Sequence, residues 1–181
     1  TTKPTTEGLF KDLGKKLSLT QTDAVNRHAL LFRSTSDQIQ YDLTLNILSK
    51  KLCSEERFNF KGVVDVRFNF YGSQEQKGEV TDSKTNLFLN FYGFPSKILV
   101  NSKEEKLIFD NQKVYISNTN LIPNQENTVR VFFYGVYSSQ GTGLHHYIDP
   151  KDQKEYLYTQ FEPFDCNRVF PAFDQPNLKA K

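Results

Sequence analysis

The sequence predicts an all-β fold, an antiparallel β-sandwich with one N-terminal helix, and three observations carry that expectation. From residue 40 onward apolar and polar residues alternate with a period of two. Gly, Pro, Asn, Asp and Ser interrupt the alternation every few residues. Only one stretch, 18–33, has a helical period. Many short strands, frequent turns and little helix favour two packed sheets around one core.

The elements follow in chain order. Residues 1–18 read as a flexible lead-in, because Thr1 to Thr6 are polar and include Pro4. The helix comes next. Thr20 or Thr22 can cap it, Asp23 sits where the helix dipole favours a carboxylate, and Ala24, Arg27, His28 and Leu31 share a face. Tyr41, Leu43, Leu45 and Ile47 alternate with Asp42, Thr44 and Asn46, as in a half-buried strand. A long strand is expected to place Phe58, Phe60, Val64, Val66, Phe68 and Phe70 on one face, away from Asn59, Lys61, Asp65, Arg67 and Asn69. Further strands are expected over 87–92, 97–101, 106–109, 113–116 and 128–137. The turns between strands are Tyr71-Gly72-Ser73, Asp82-Ser83, Gly93-Phe94-Pro95, Asp110-Asn111, Pro123-Asn124 and Gln140-Gly141-Thr142-Gly143. With no internal repeat and no linker, 19–181 forms one domain.

Composition narrows the function. The chain has 181 residues, enough to bury roughly 70% of the surface its unfolded form exposes. Net charge is +2 from 23 basic and 21 acidic residues, without a basic block, which argues against nucleic acid as partner. No apolar run reaches the ~20 residues of a membrane span. With 3 histidines, few catalytic metal sites can be built. With no methionine, not even at position 1, the chain is expected to begin at a processed, excised or incompletely known terminus. Cys53 and Cys166 read as free thiols rather than as a bridge, and localisation stays open, with an intracellular setting favoured, the cytoplasm or an organelle after removal of a targeting segment.

The most informative segment is 144–163. Asp149-Pro150-Lys151-Asp152 is a turn whose flanks can pair as a hairpin. If 156–162 is extended, Tyr156, Tyr158, Gln160 and Glu162 point to one side, and Leu157, Thr159 and Phe161 to the other. An amide and a carboxylate two residues apart make a small acceptor cluster, suited to a primary ammonium held in one orientation.

The run from Tyr156 to Ala180 resembles the N-terminal domain of the M1 family of zinc aminopeptidases. Its Thr159-Gln160-Phe161-Glu162-Pro163 stretch is followed by Arg168, then Phe170-Pro171-Ala172-Phe173-Asp174-Gln175-Pro176 and Lys179-Ala180. Gly141 to His145, Tyr147 to Pro150, Leu19 to Leu31 and Tyr41 to Leu45 are also similar to this family, and to its aminopeptidase N branch in particular. The resemblance spans roughly residues 19 to 181 and implies a β-sandwich packed against a thermolysin-like catalytic domain. It assigns to Gln160 and Glu162 the binding of the substrate's free α-amine, so a peptide N-terminus is the expected ligand of a complete enzyme. Asp174-Gln175-Pro176 is then a turn, and Arg168 a structural ion-pair partner.

Catalysis in that family needs a H-E-x-x-H helix with a downstream Glu to hold zinc. His28, His145 and His146 contain no such spacing, no H-E pair exists, and a chain without methionine has no G-A-M-E-N loop. No cofactor is therefore expected on this chain; zinc belongs to a catalytic domain elsewhere, and no zinc-dependent hydrolysis is expected of this chain alone. By family resemblance the sandwich stops short of its last strands at Lys181, which would leave a sheet edge to be covered by the catalytic domain or by other protein chains. Two main functions compete: the substrate-anchoring domain of an aminopeptidase, or a shortened non-catalytic subunit of a larger assembly. An isolated ligand-binding sandwich is a third.

Smaller features read as structural. His145-His146 lacks a nearby third donor and reads as loop rather than metal site. Gly141-Thr142-Gly143 lacks the helix and lysine of a phosphate loop. The phenylalanines of 57–70 read as core rather than a stacking platform, and Cys166 has no base near it in sequence.

Overall fold

A computed structural model of the chain describes residues 38–49, 57–71, 87–175, 178 and 180. The helix expected over 18–33, the lead-in, Cys53 and the turns at 72–73 and 82–83 lie outside them. The described residues contain ten strands: β1 (Gln40–Ile47), β2 (Phe60–Phe70), β3 (Leu87–Asn90), β4 (Phe94–Val100), β5 (Lys103–Glu105), β6 (Phe109–Asp110), β7 (Lys113–Ile116), β8 (Gln125–Gly135), β9 (Gly143–Ile148) and β10 (Glu155–Gln160). They form a five-stranded sheet ordered β1-β2-β8-β4-β5, a three-stranded sheet ordered β3-β7-β6, and the hairpin β9-β10. Every pairing between named strands is antiparallel. Short 3-10 turns at Asn118–Asn120 and Cys166–Arg168 are the only helical elements among the described residues.

Alternation produces the core directly. The inward positions of β2, β8 and β4 carry Phe60, Val64, Val66, Phe68, Phe70, Val129, Val131, Phe133, Ile98 and Val100; Leu87, Leu89, Val114 and Ile116 of the smaller sheet join the same cluster. Each such side chain contributes on the order of 1.5–3 kcal/mol when fully buried. The large-sheet face turned from this core carries ion pairs between neighbouring strands. Arg130 grips Asp65 with two bonds of 2.6 Å, Lys97 meets Glu104 at 2.6 Å, and Arg67 lies 3.5 Å from Asp42.

Three expectations need correction. Phe58 is not on the core face: the chain bends at Asn59, so β2 begins at Phe60. Asn59 is buried, accepting the Tyr137 N–H (3.0 Å), while Phe58 stacks on Tyr134 with ring centres 5.0 Å apart. Phe94-Pro95, expected as a turn, opens β4. Pro95 is tolerated there because the pairing with β8 shifts register between Pro95 and Lys97, a bulge where a missing N–H does least harm. No single strand occupies 106–109. β5 ends at Glu105 in the large sheet, β6 begins at Phe109 in the small one, and Leu107 packs against the core as the chain crosses over.

Candidate functional site

The β9-β10 hairpin is built by its turn. Asp149 Oδ1 accepts the Lys151 N–H (2.8 Å), Asp152 Oδ1 accepts the Lys154 N–H (2.9 Å), and Gln153 takes a positive φ of 58°. The Tyr156 hydroxyl donates to Asp152 Oδ2 at 2.9 Å. The Lys154 N–H, followed by this hydroxyl, holds the Asp152 carboxyl below the usual carboxylate range.

Register then decides what each face shows. Tyr147 lies opposite Tyr156, His145 opposite Tyr158, and Gly143 opposite Gln160, all on one face. This face is open: Tyr147, Tyr156 and Tyr158 are 46%, 45% and 49% exposed. The other face carries Leu144, which is buried, and His146, which stacks on Tyr137 with ring centres 5.4 Å apart. Glu155 on that face accepts a 2.6 Å bond from the Ser49 hydroxyl.

The two histidines therefore sit in strand β9, not in a loop, and diverge. His145 accepts the Gly141 N–H at Nδ1 (2.9 Å) beside the Tyr158 ring, while His146 Nε2 lies inside, 3.6 Å from Glu155. Adjacent residues on opposite strand faces do not chelate one ion.

Gln160 ends β10 and Glu162 lies in the turn that follows, so the pleat does not run to 162 as expected. Both side chains are exposed. Phe161 between them is half-buried, packs against the core and meets Phe170 edge-on. Its carbonyl accepts the Asp165 N–H (2.8 Å), closing a turn from which Phe164 stands 58% exposed. Gln160 and Glu162 thus flank one anchored ring at the rim of the domain.

The support beneath this rim is dense. Gly143, opposite Gln160, has φ +68°, and a Cβ there would fall 2.8 Å from Arg168 Cβ; only glycine lets the strand end approach so closely. Arg168 pairs with Asp165, and its guanidinium lies 4.7 Å from the centre of the Tyr92 ring. Asp174 accepts the Asn167 N–H (3.1 Å), the Phe173 N–H donates to the Tyr41 hydroxyl (3.0 Å), and Asn90 and Ala172 exchange two backbone bonds. Burial, reinforced by the Asp174 carboxylate, pushes the Cys166 thiol up to about 12, so it is no nucleophile at neutral pH. Burial likewise raises Asp174.

Elsewhere, a shallow groove of about 400 Å³ on the outer sheet face is lined by Lys61, Ser96, Lys97, Phe132, Tyr134 and neighbours, without carboxylate or imidazole. Among the described residues no group of three His, Cys, Asp or Glu stands ready for a metal ion, and no helix is long and apolar enough to cross a membrane. Sequence reasoning did not find the exposed apolar rim formed by Tyr147, Ile148, Tyr156, Leu157, Tyr158 and Phe164. Its signal was the spacing of the tyrosines, which also suits a buried strand face.

A family model described as the peptidase M1 N-terminal domain matches residues 37–181. Among curated proteins, aminopeptidase N of Streptomyces lividans is 31% identical over 167 residues, covering 90% of this chain and 17% of its own length. A probable M1 family aminopeptidase 1 of Encephalitozoon cuniculi is 29% identical over 140 residues, covering 77% of this chain and 15% of its own. The chain thus spans about one sixth of the length of these relatives. Among solved structures, Legionella pneumophila aminopeptidase A in complex with aspartic acid aligns over 81% of this chain and 15% of its own, with TM-score 0.54 and 14% identity. An M1 zinc metallopeptidase of Deinococcus radiodurans aligns over 77% of this chain and 29% of its own, with TM-score 0.51 and 18% identity.

Proposed function

The chain belongs to the peptidase M1 N-terminal domain family, and we propose that it acts as the substrate-anchoring domain of an aminopeptidase, holding the peptide's free α-ammonium on Gln160 and Glu162. The observation that carries this reading is their placement: two exposed acceptors on either side of the anchored Phe161. The Glu162 carboxylate supplies a charge-assisted acceptor and the Gln160 amide oxygen a neutral one, leaving one ammonium N–H for another partner. Bonds to a charged group are worth about 1.5–3 kcal/mol each, and more when a facing domain excludes water. Fixing the amine places the first peptide bond at a set distance, which is how an enzyme measures one residue from a terminus.

The exposed tyrosines beside Gln160 supply apolar area for the facing catalytic domain, the expected partner. Zinc is named in the Deinococcus structure, and among the described residues of this chain no group of three His, Cys, Asp or Glu stands ready to hold it. In the full-length enzyme, Glu162→Gln should lower kcat/KM for peptides roughly 10- to 100-fold with the melting temperature unchanged. Parallel losses of melting temperature and activity would make Glu162 structural and sink the reading. A non-catalytic subunit built on the same hairpin predicts a native polypeptide close to 21.0 kDa, which intact mass measurement of native material tests.

A further inference from the structure

Gln160 ends β10 and Glu162 lies in the turn after it, so no shared pleat fixes the spacing of the two acceptors. One side chain touches the support of both. The Arg168 stem runs along the backbone of Gly143, the cross-strand partner of Gln160: a Cβ on Gly143 would fall 2.8 Å from Arg168 Cβ and 3.3 Å from its Cδ. Arg168 Nε donates to Asp165 Oδ1 at 2.5 Å. Asp165 in turn donates its backbone N–H to the Phe161 carbonyl (2.8 Å), closing the turn that contains Glu162. The guanidinium lies over the Tyr92 ring, 4.7 Å from its centre, and the Tyr92 N–H donates to the Asn167 carbonyl (2.8 Å). Stem, edge and face of one arginine are thus taken up by three separate stretches of chain.

The energetics point away from a purely stabilising role. Asp165 and Arg168 are an i,i+3 pair and the arginine side chain is 39% exposed, so the ion pair itself adds little to stability. Its consequence is geometric. We propose, on the reading of Gln160 and Glu162 as the amine anchor, that Arg168 is a positioning residue for that anchor. Through Gly143 it sets where β10 ends and Gln160 stands; through Asp165 it sets the turn that carries Glu162. The two acceptors are thereby held at the separation that lets them share one ammonium nitrogen. A small error in that separation misplaces the first peptide bond, which is where the loss of rate arises.

A double-mutant cycle on the full-length enzyme tests this. Arg168→Met keeps an unbranched stem against Gly143 and removes the guanidinium; it should lower kcat/KM for peptides roughly 10-fold. In a Glu162→Gln background the same change should cost under ~3-fold, because the carboxylate it places is already gone. Its effect on melting temperature should be equal in both backgrounds, which separates positioning from folding. A loss of full size in both backgrounds makes Arg168 a stabilising residue that acts independently of the anchor and overturns the proposal. Unchanged kcat/KM in Arg168→Met overturns it as well. If Arg168→Met does not fold, Asp165→Asn carries the cycle, since it leaves the backbone bond to Phe161 in place; the expected loss is roughly 3-fold alone and none in the Glu162→Gln background. The two readings fail differently. A Glu162→Gln enzyme with unchanged kcat/KM sinks amine anchoring itself, whereas a strongly impaired one with an undiminished Arg168 effect sinks only the positioning role.

Discussion

The core between the two larger sheets and the β9-β10 hairpin use the same residue types to opposite ends. Phe60, Phe68, Phe70 and Phe133 are at most 2% exposed, and each meets apolar neighbours of this same domain. Tyr147, Tyr156 and Tyr158 alternate just as regularly along their strands, yet nearly half of each lies in water. Periodicity marks which side chains share a face; it does not say whether that face is covered by the same domain. The core region supplies its stability locally, whereas the hairpin leaves its tyrosine face in water.

The largest effect should come from the core. Phe133→Ala removes a ring that lies over Gly62 and meets Phe91 edge-on at 5.2 Å. Urea unfolding should show a loss of about 3–5 kcal/mol. Asn127→Ala ranks next. Its side chain, 1% exposed, accepts from the Ile122 N–H and the Asn101 amide (both 2.7 Å) and donates to the Ile122 and Gln125 carbonyls (both 2.9 Å). Unpairing these groups should cost about 2–3 kcal/mol in the same assay. In the hairpin, Tyr158→Ser should change the stability of this chain by under ~0.5 kcal/mol. A loss comparable to that of Phe133→Ala would erase the contrast between the regions.

The smallest effect concerns the outer face of the large sheet. The Arg130 guanidinium holds the Asp65 carboxyl below its ordinary value of 3.8. A carboxyl depressed in the folded state stabilises it above the unfolded value and loses that contribution as pH falls through the folded value. Stability should therefore decline on the acid side of 3.8, and Arg130→Gln should flatten that decline by under ~1 kcal/mol, since the guanidinium is half exposed. Acid unfolding curves of the two proteins check it.

The sandwich was legible because β1, β2 and β8 each have one wet face, so polarity alternates along them. The bend at Asn59 and the crossover at Leu107 were not, because they depend on where a distant strand leaves room. Of the candidate site, the local order of residues was legible and the packing around it was not. Gln160, Phe161 and Glu162 stand in the expected order, but the pleat stops at Gln160, where Phe161 turns to the core and Arg168 occupies the space beside Gly143. That packing joins segments whose proximity no local pattern encodes.

The sheet order also dictates a schedule for synthesis. The longest pairing joins β2 to β8, whose partners stand between 55 and 75 residues apart in sequence. β1 with β2, and β4 with β5, can pair as soon as each has left the ribosome, because their partners are near in sequence. β8 then inserts between β2 and β4 and joins the two into one sheet. Until it emerges, two half-sheets wait with apolar faces uncovered, so the interval before Gly135 appears is when the nascent chain most needs a chaperone.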